Sequence, residues 1–292
     1  MKSEIKNYAF RPELPHEFEM VSLQQLLGQH PEILTCPHRT GFYQILWFDG
    51  GDTTLLVDFR PIRVTSGMIV FLDKSSVRRF ECQGNVTGKA VLFSDAFFCR
   101  TDDDRRLLRS GTLFNTLFGV SNIRFSSSSE ERGFALLYEL MESEFLKGSG
   151  RYQADILRSH LQAMLLMAER EIDNNTFHAT AKRAVIECIQ RFSELLERDF
   201  RTHKAVAAYA EELCITQKRL AQATSTALGM SPKQMIDERL VLEAKRLLVH
   251  TSESVKQIAY LLGFDEPTNF IKFFRRVSGS TPLEFRDAHP SA

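Results

Sequence analysis

Apolar residues between positions 42 and 93 come in short runs, 42–48, 53–59, 68–72, 77–82 and 89–93, each rich in Val, Ile, Leu or Phe and bounded by turn residues. That pattern predicts strands. Asp49-Gly50-Gly51-Asp52 between the first two runs predicts a tight hairpin. Five or more closely spaced strands predict a small barrel or a sandwich. Alternation in the first run sets Tyr43, Ile45 and Trp47 on one face and Phe42, Gln44 and Leu46 on the other, without telling which face is inside. Ahead of these runs, about twenty residues with Pro12, Pro15 and scattered charge read as an extended arm.

After Ser94 the period moves toward that of a helix, although 113–118 and 123–125 can return to the sheet. The serine run 126–129 precedes Glu130 and Glu131, which is how a helix begins: hydroxyls cap the free amides and acids face the positive end of the dipole. Helices are predicted over 130–146 and 152–172, interrupted by Lys147-Gly148-Ser149-Gly150. In the second, Ile156-Leu157, Leu161, Met164-Leu165, Ala168 and Ile172 form a continuous stripe. The stripe has two possible uses, packing on the strands or pairing with a second subunit. Asp173-Asn174-Asn175-Thr176 ends the helix and opens a linker.

Beyond position 205 one pattern occurs twice. Val206, Tyr209-Ala210, Leu213, Ile215 and Leu220 close on Gly229-Met230-Ser231-Pro232; Val255, Ile258-Ala259, Leu262, Phe264 and Phe270 close on Gly279-Ser280-Thr281-Pro282. In each copy an apolar pair stands beside an Ala small enough for a second helix to cross closely, a tight turn follows, and another amphipathic helix begins. Such a crossing is used by major-groove DNA binders. Gly263 suits a turn with positive φ, whereas Cys214 holds the matching place in the first copy, so the second copy is the better formed. Between the copies one helix, capped by Ser231 with Pro232 in its first turn, is predicted to run to about Val249. Its length of roughly 27 Å, at 1.5 Å per residue, suits two reading helices about one duplex repeat apart.

Length and composition refine this picture. A chain of 292 residues predicts two domains, and 43% hydrophobic with 25% charged residues excludes disorder and fibre. The net charge is zero, but from Lys182 onward 17 Lys and Arg face 14 Asp and Glu. Where the cations fall matters more than their sum: Lys218, Arg219, Lys233, Lys272, Arg275 and Arg276 lie on or beside the predicted reading helices. Five cysteines without Cys-x-x-Cys spacing read as reduced, buried thiols, and the absence of a secretory or membrane-length apolar run places the chain in the cytoplasm, away from membranes.

Residues 192–286 resemble the DNA-binding domain of the AraC family of bacterial transcription regulators. The match rests on Ile258-Ala259, Leu262-Gly263-Phe264, Asn269-Phe270, Phe273-Phe274, Arg275-Arg276 and Gly279-Ser280-Thr281-Pro282 with Phe285-Arg286, and on Ala244-Lys245, Leu247-Leu248 and Thr251 upstream. The resemblance implies an α+β chain: an arm and cupin-like effector-sensing β-barrel over 1–125, a helical dimerisation segment over 126–175, and over 186–292 an all-α domain of two helix-turn-helix units joined by a linker helix. It also implies a homodimer that binds double-stranded DNA, responds to a small-molecule effector and activates promoters through RNA polymerase.

Within the reading helices, exposed early turns select Gln217, Lys218, Ala221 and Gln222 in the first copy and Thr268, Asn269 and Lys272 in the second as base contacts, Gln222 and Lys272 foremost. Arg219, Arg275 and Arg276, with the helix starts near Thr216 and Glu266, are placed on phosphates. Asp265 and Glu266 repel phosphate and are read as caps. Where the family this chain resembles often carries long basic and aromatic side chains, the first copy has Ala221, Gln222, Ala223, Thr224 and Ser225, so the second copy is expected to supply more DNA contacts. His38, Arg39, Tyr43, Trp47 and Arg78 are the polar and aromatic candidates for an effector pocket. Two rival readings stand beside this one. A cupin-type metal enzyme needs two or three His with a carboxylate, yet only His38 lies among the strands, with His16 and His30 ahead of it. The other is a constitutive regulator with no ligand. No catalytic residues, metal ligands or cofactors are assigned.

Overall fold

The computed structural model describes residues 6–8, 10, 14–29, 35–51, 53–74, 76–81, 86–109, 112–114, 120–125, 127–175 and 183–289. They fall into two compact units that divide between 175 and 183.

Among the described residues the amino-terminal unit has ten strands: β1 (Lys6–Tyr8), β2 (Phe18–Ser22), β3 (His38–Thr40), β4 (Tyr43–Gly50), β5 (Thr53–Val57), β6 (Arg60–Val64), β7 (Ile69–Leu72), β8 (Arg78–Phe80), β9 (Thr87–Phe93) and β10 (Asn122–Ile123). They form two five-stranded sheets, in the orders β1-β3-β8-β5-β6 and β10-β7-β4-β9-β2. Among the described residues these are open sheets and not a closed barrel, which corrects the barrel expectation. The predicted arm contributes two edge strands, β1 parallel to β3 and β2 antiparallel to β9.

The Asp49-Gly50-Gly51-Asp52 hairpin does not form. β4, ending at Gly50, pairs with β7 and β9, while β5, starting at Thr53, pairs with β6 and β8 of the other sheet; Asp52 lies outside the described residues. The tight hairpin is instead β5–β6, where Asp58 and Phe59 both adopt positive φ, 46° and 68°. That is the geometry of a type I′ turn made without glycine. The Asp58 carboxylate offsets part of the strain by accepting a hydrogen bond from the Val77 amide at 3.0 Å.

Helices cover one sheet. α1 (Leu23–Gln29), α2 (Asp95–Phe98) and α3 (Asp102–Arg109) are short; α4 (Ser128–Leu146) and α5 (Gln153–Asn175) are long. Ser127 caps α4, its hydroxyl accepting from the Ser129 amide, as the serine run predicts. α5 runs to Asn175, so it takes in the first three residues of that cluster, and Thr176 lies outside the described residues. One face of β4, with Tyr43, Ile45 and Trp47, packs with Leu157, Leu161, Met164, Leu165 and Ala168 of α5 and with Phe134, Tyr138 and Met141 of α4. The opposite face, with Phe42, Leu46 and Phe48, packs with Leu55, Val57 and Phe80 of the other sheet. β4 is therefore buried on both sides, the arrangement for which a nearly unbroken apolar run is suited. Apart from Ile156, which is exposed, the α5 stripe is consumed within the unit.

Among the described residues the carboxyl-terminal unit is all helix: α6 (Arg183–Asp199), α7 (Val206–Glu212), α8 (Gln217–Leu228), α9 (Pro232–His250), α10 (Val255–Leu261), α11 (Pro267–Ser278) and α12 (Pro282–Ala288). Its core gathers Phe192, Tyr209, Leu220, Ile236, Leu240, Ala244, Ile258, Leu262, Phe270 and Phe274, each at most 1% exposed. α8 and α11 each end at a left-handed glycine, Gly229 (φ 66°) and Gly279 (φ 83°). A capping box followed by Pro then starts α9 at Ser231 and α12 at Thr281. Cys36 and Cys214 are exposed rather than buried. No helix among the described residues is long and apolar enough to cross a membrane.

Candidate nucleic-acid interface

The two helical pairs share their construction. In the first, the Ile215 amide donates to the Ala210 carbonyl at 3.0 Å; in the second, the Phe264 amide donates to the Ala259 carbonyl at 2.9 Å. The residue before each donor is left-handed, Cys214 at φ 56° and Gly263 at φ 70°. For a residue with a β-carbon that conformation costs about 1–2 kcal/mol. Gly263 has a second reason to be glycine, since a β-carbon there would lie 2.0 Å from the Arg201 carbonyl oxygen.

The turns differ by one residue, 213–216 against 262–266, so second helices correspond at an offset of fifty rather than forty-nine. Thr216 caps α8, its hydroxyl accepting from the Arg219 amide at 3.2 Å. Glu266 stands at the cap of α11 but its carboxylate makes no cap hydrogen bond, contrary to the capping role expected of it.

Seen at that offset, the anchors are Leu220 with Phe270 and Thr224 with Phe274, all fully buried. The opposite face of α8 exposes Gln217, Lys218, Arg219 and Gln222, with Ala221 half-buried; that of α11 exposes Thr268, Asn269, Lys272, Arg275 and Arg276. Gln222 and Lys272, chosen separately from the sequence, occupy equivalent positions. Ile271 was missed: it is exposed on the same face and matches Ala221, a correspondence visible only once the one-residue difference between turns is known.

Electrostatics separates the cations. Arg219 sits close enough to Cys188 of α6 to act on it: burial raises that thiol's pKa, and the Arg219 and Arg191 charges oppose the rise. Arg276 pairs with Asp237 of α9 at 3.0 Å and lies over the Phe273 ring, 5.5 Å from its centroid. Asp237 is buried and also holds Lys233 at 2.8 Å. Arg276 is thus committed to an internal carboxylate as well as exposed.

In the amino-terminal unit the five effector candidates do not converge. His38 and Arg78 are opposed on β3 and β8, and both are buried. Arg78 donates to Gln44 Oε1 at 3.0 Å, Thr40 Oγ1 at 2.7 Å and the Asp73 carbonyl at 3.1 Å, in the layer between the sheets. Arg39, next along β3, is half-buried. Tyr43 and Trp47 face the helices instead. Tyr43 stacks on Phe93 at 5.5 Å and donates to Asp95 at 3.2 Å. Trp47 meets Phe134 edge-on at 5.4 Å, with the Lys89 ammonium 5.0 Å from its ring centroid. Of the side chains on β4, the one that reaches Arg78 is Gln44, on the face that alternation assigned but did not orient. Separate from all of these, a cleft of about 340 Å³ is lined by Pro15, His16, Phe18, Phe145, Ser149 and Leu157 among others.

Residues 209–288, which take in most of both helical pairs and α9, match the family model described as "Helix-turn-helix domain". Over 141 residues the chain is 28% identical to the arabinose operon regulatory protein of Escherichia coli (strain K12), covering 48% of this chain and 47% of that protein. Over 262 residues it is 22% identical to the HTH-type transcriptional activator RhaR of Enterobacter sp. (strain 638), covering 88% and 89%. The crystal structure of ToxT from Vibrio cholerae O395 aligns over 94% of this chain and 99% of its own, at 16% identity and a TM-score of 0.43. The match spans about half the length of the arabinose regulators. The carboxyl-terminal unit carries a helix-turn-helix domain, the class used to present a helix to duplex DNA. Over that domain and beyond it the chain is similar to these HTH-type regulators.

Proposed function

We propose that the chain is a sequence-specific transcription regulator that binds double-stranded DNA with two helix-turn-helix units, α8 and α11 entering successive major grooves. The observation that carries this is the pairing of Gln222 with Lys272 at equivalent exposed positions on helices joined by the 19-residue α9, about 28 Å long at 1.5 Å per residue. Gln reads adenine and Lys reads guanine from that depth, while Ala221 and Ile271 meet thymine methyl groups. Lys218, Gln217, Thr268 and Asn269 flank the readers. Arg219, Arg275 and Arg276 meet phosphates and set the register.

The amino-terminal sheets act in this reading as a cupin-like sensing module for a small-molecule effector. The open cleft beside Phe18, Phe145 and His16 is of a size for such a molecule. A homodimer is formed through the helical segment 126–175. Because the α5 stripe is spent internally, its contact falls to exposed apolar residues such as Leu136, Leu140 and Leu166. Activation proceeds through RNA polymerase. The effector works by favouring one of two arrangements, a coupling typically of about 1–3 kcal/mol.

Selection of bound duplexes from a random pool by the full chain, with and without cell extract, tests the proposal. A bipartite consensus with two half-sites about one helical turn apart is expected. Recovery of no preferred sequence, or of a single undivided half-site, refutes it.

A further inference from the structure

We infer that the loop 200–204, between α6 and α7, is a brace that fixes the spacing of the two reading helices, with Arg201 and Lys204 as positioning residues. The inference rests on the two-headed reading above. Three bodies meet on these few residues. From the first pair, the buried Tyr209 hydroxyl donates to the His203 carbonyl at 2.8 Å. From the linker, Lys233 donates to the Lys204 carbonyl at 3.2 Å, and the buried Glu243 accepts from Arg201 at 3.1 Å. From the second pair, the Gly263 carbonyl accepts from the Lys204 ammonium, which also lies 4.5 Å from the centroid of the Phe264 ring.

Contact with the second pair is close on the backbone side as well. The Arg201 carbonyl oxygen occupies the space that a β-carbon at Gly263 would need, at 2.0 Å. Glu243 ties the brace to the linker more deeply, since the same carboxylate also accepts from Arg239 at 3.3 Å and Arg246 at 3.4 Å. Arg239 in turn lies 4.0 Å from the centroid of the Phe200 ring and donates to Glu197 of α6 at 2.7 Å. A linker helix alone leaves each pair able to rotate about its ends; a third element bonded to the linker and to both pairs removes that freedom. No side chain of the loop needs to touch DNA for this to govern which half-site separation is accepted.

The full chain is compared with its Arg201→Met/Lys204→Met variant, which keeps the apolar stems and removes both charged donors. The probes are the tightest duplex recovered from the random pool, the same duplex with one or two base pairs inserted between half-sites, and a single half-site. The variant is expected to bind the single half-site within about twofold of the parent while the penalty for insertion falls at least about fivefold. Lys204→Arg, which retains a donor and a cation, restores the penalty. Thermal unfolding run in parallel separates a folding defect from a spacing effect, and Glu243→Gln, which weakens the same brace from the linker side, gives an independent second variant. An unchanged insertion penalty in both variants, or a half-site affinity that falls by the same factor as the full site, overturns the brace. A parent chain that prefers no duplex at all overturns the DNA-reading proposal itself.

Discussion

Acidification should loosen the amino-terminal unit through one side chain, His38. Burial of the ring, and secondly the Arg78 guanidinium opposite it, lower its pKa from 6.5 to about 4, against a smaller upward pull from the Cys36 carbonyl 3.0 Å from Nδ1. The folded unit therefore holds a neutral imidazole that the unfolded chain protonates near pH 6.5. The stability this provides is fully present above pH 6.5 and is lost as the pH falls from there toward 4. At about 1.36 kcal/mol per pH unit, going from pH 7.5 to 4.5 removes about 2 to 3 kcal/mol. The structural reason is first that a charged ring would have to stay buried, and then that it would stand beside a guanidinium already engaged by Gln44, Thr40 and Asp73 between the sheets. The single tryptophan, Trp47, is buried in the same unit, so urea unfolding followed by its fluorescence reports on this unit. Carboxylates titrate in the same range, and His38→Gln removes only the imidazole from the comparison. The stability gap between wild type and variant should shift by about 2 to 3 kcal/mol in the variant's favour across that interval. A gap independent of pH refutes the reasoning.

Gly263→Ala and Gly229→Ala test whether space or φ governs the left-handed positions. At Gly229 a β-carbon meets nothing within 4 Å, and the cost should be about 1 kcal/mol from backbone conformation alone; at Gly263 the Arg201 carbonyl must also move, so its loss in thermal stability by circular dichroism should be clearly larger, and equal losses would remove the clash argument. Lys272→Ala should cost about 1–3 kcal/mol at one base position and relax preference there, read by binding to single-base variants of the selected duplex. Arg276→Ala should weaken all duplexes alike and reduce the salt slope by about 1. Because Asp237 then keeps only Lys233 of the two cations described around it, the same variant should also melt lower, and an unchanged melting temperature would mean that the Asp237 pair contributes nothing.

How far the chain could be read without coordinates depended on whether the information was local. The duplicated apolar spacing, the left-handed positions at Cys214 and Gly263, the glycines ending α8 and α11 and the Ser-Pro and Thr-Pro helix starts are set by residues within one or two turns of each other, so the sequence carried them. Exposure of the reading faces followed from the same periodicity, because anchors three and four residues apart leave only one side of a helix free. Strand pairing was another matter. Asp49-Gly50-Gly51-Asp52 has hairpin chemistry, but partners for β4 and β5 come from β9, β7 and β8, and a turn motif holds no information about distant segments. For the same reason the two faces of β4 could be separated by alternation but not oriented, and Tyr43 and Trp47 were grouped with residues on the far side of their own sheet.

What the sequence determined alone was the existence of two helical pairs and the identity of the side chains they display, since helix geometry maps spacing directly onto faces. Tertiary structure decided everything that joins separate segments. It placed Gln44 against Arg78, committed Arg276 to Asp237, spent the α5 stripe inside the unit and set loop 200–204 against both helical pairs. Those outcomes depend on which surfaces meet in three dimensions, and burial and hydrogen-bond satisfaction choose among partners that the order of residues leaves equal.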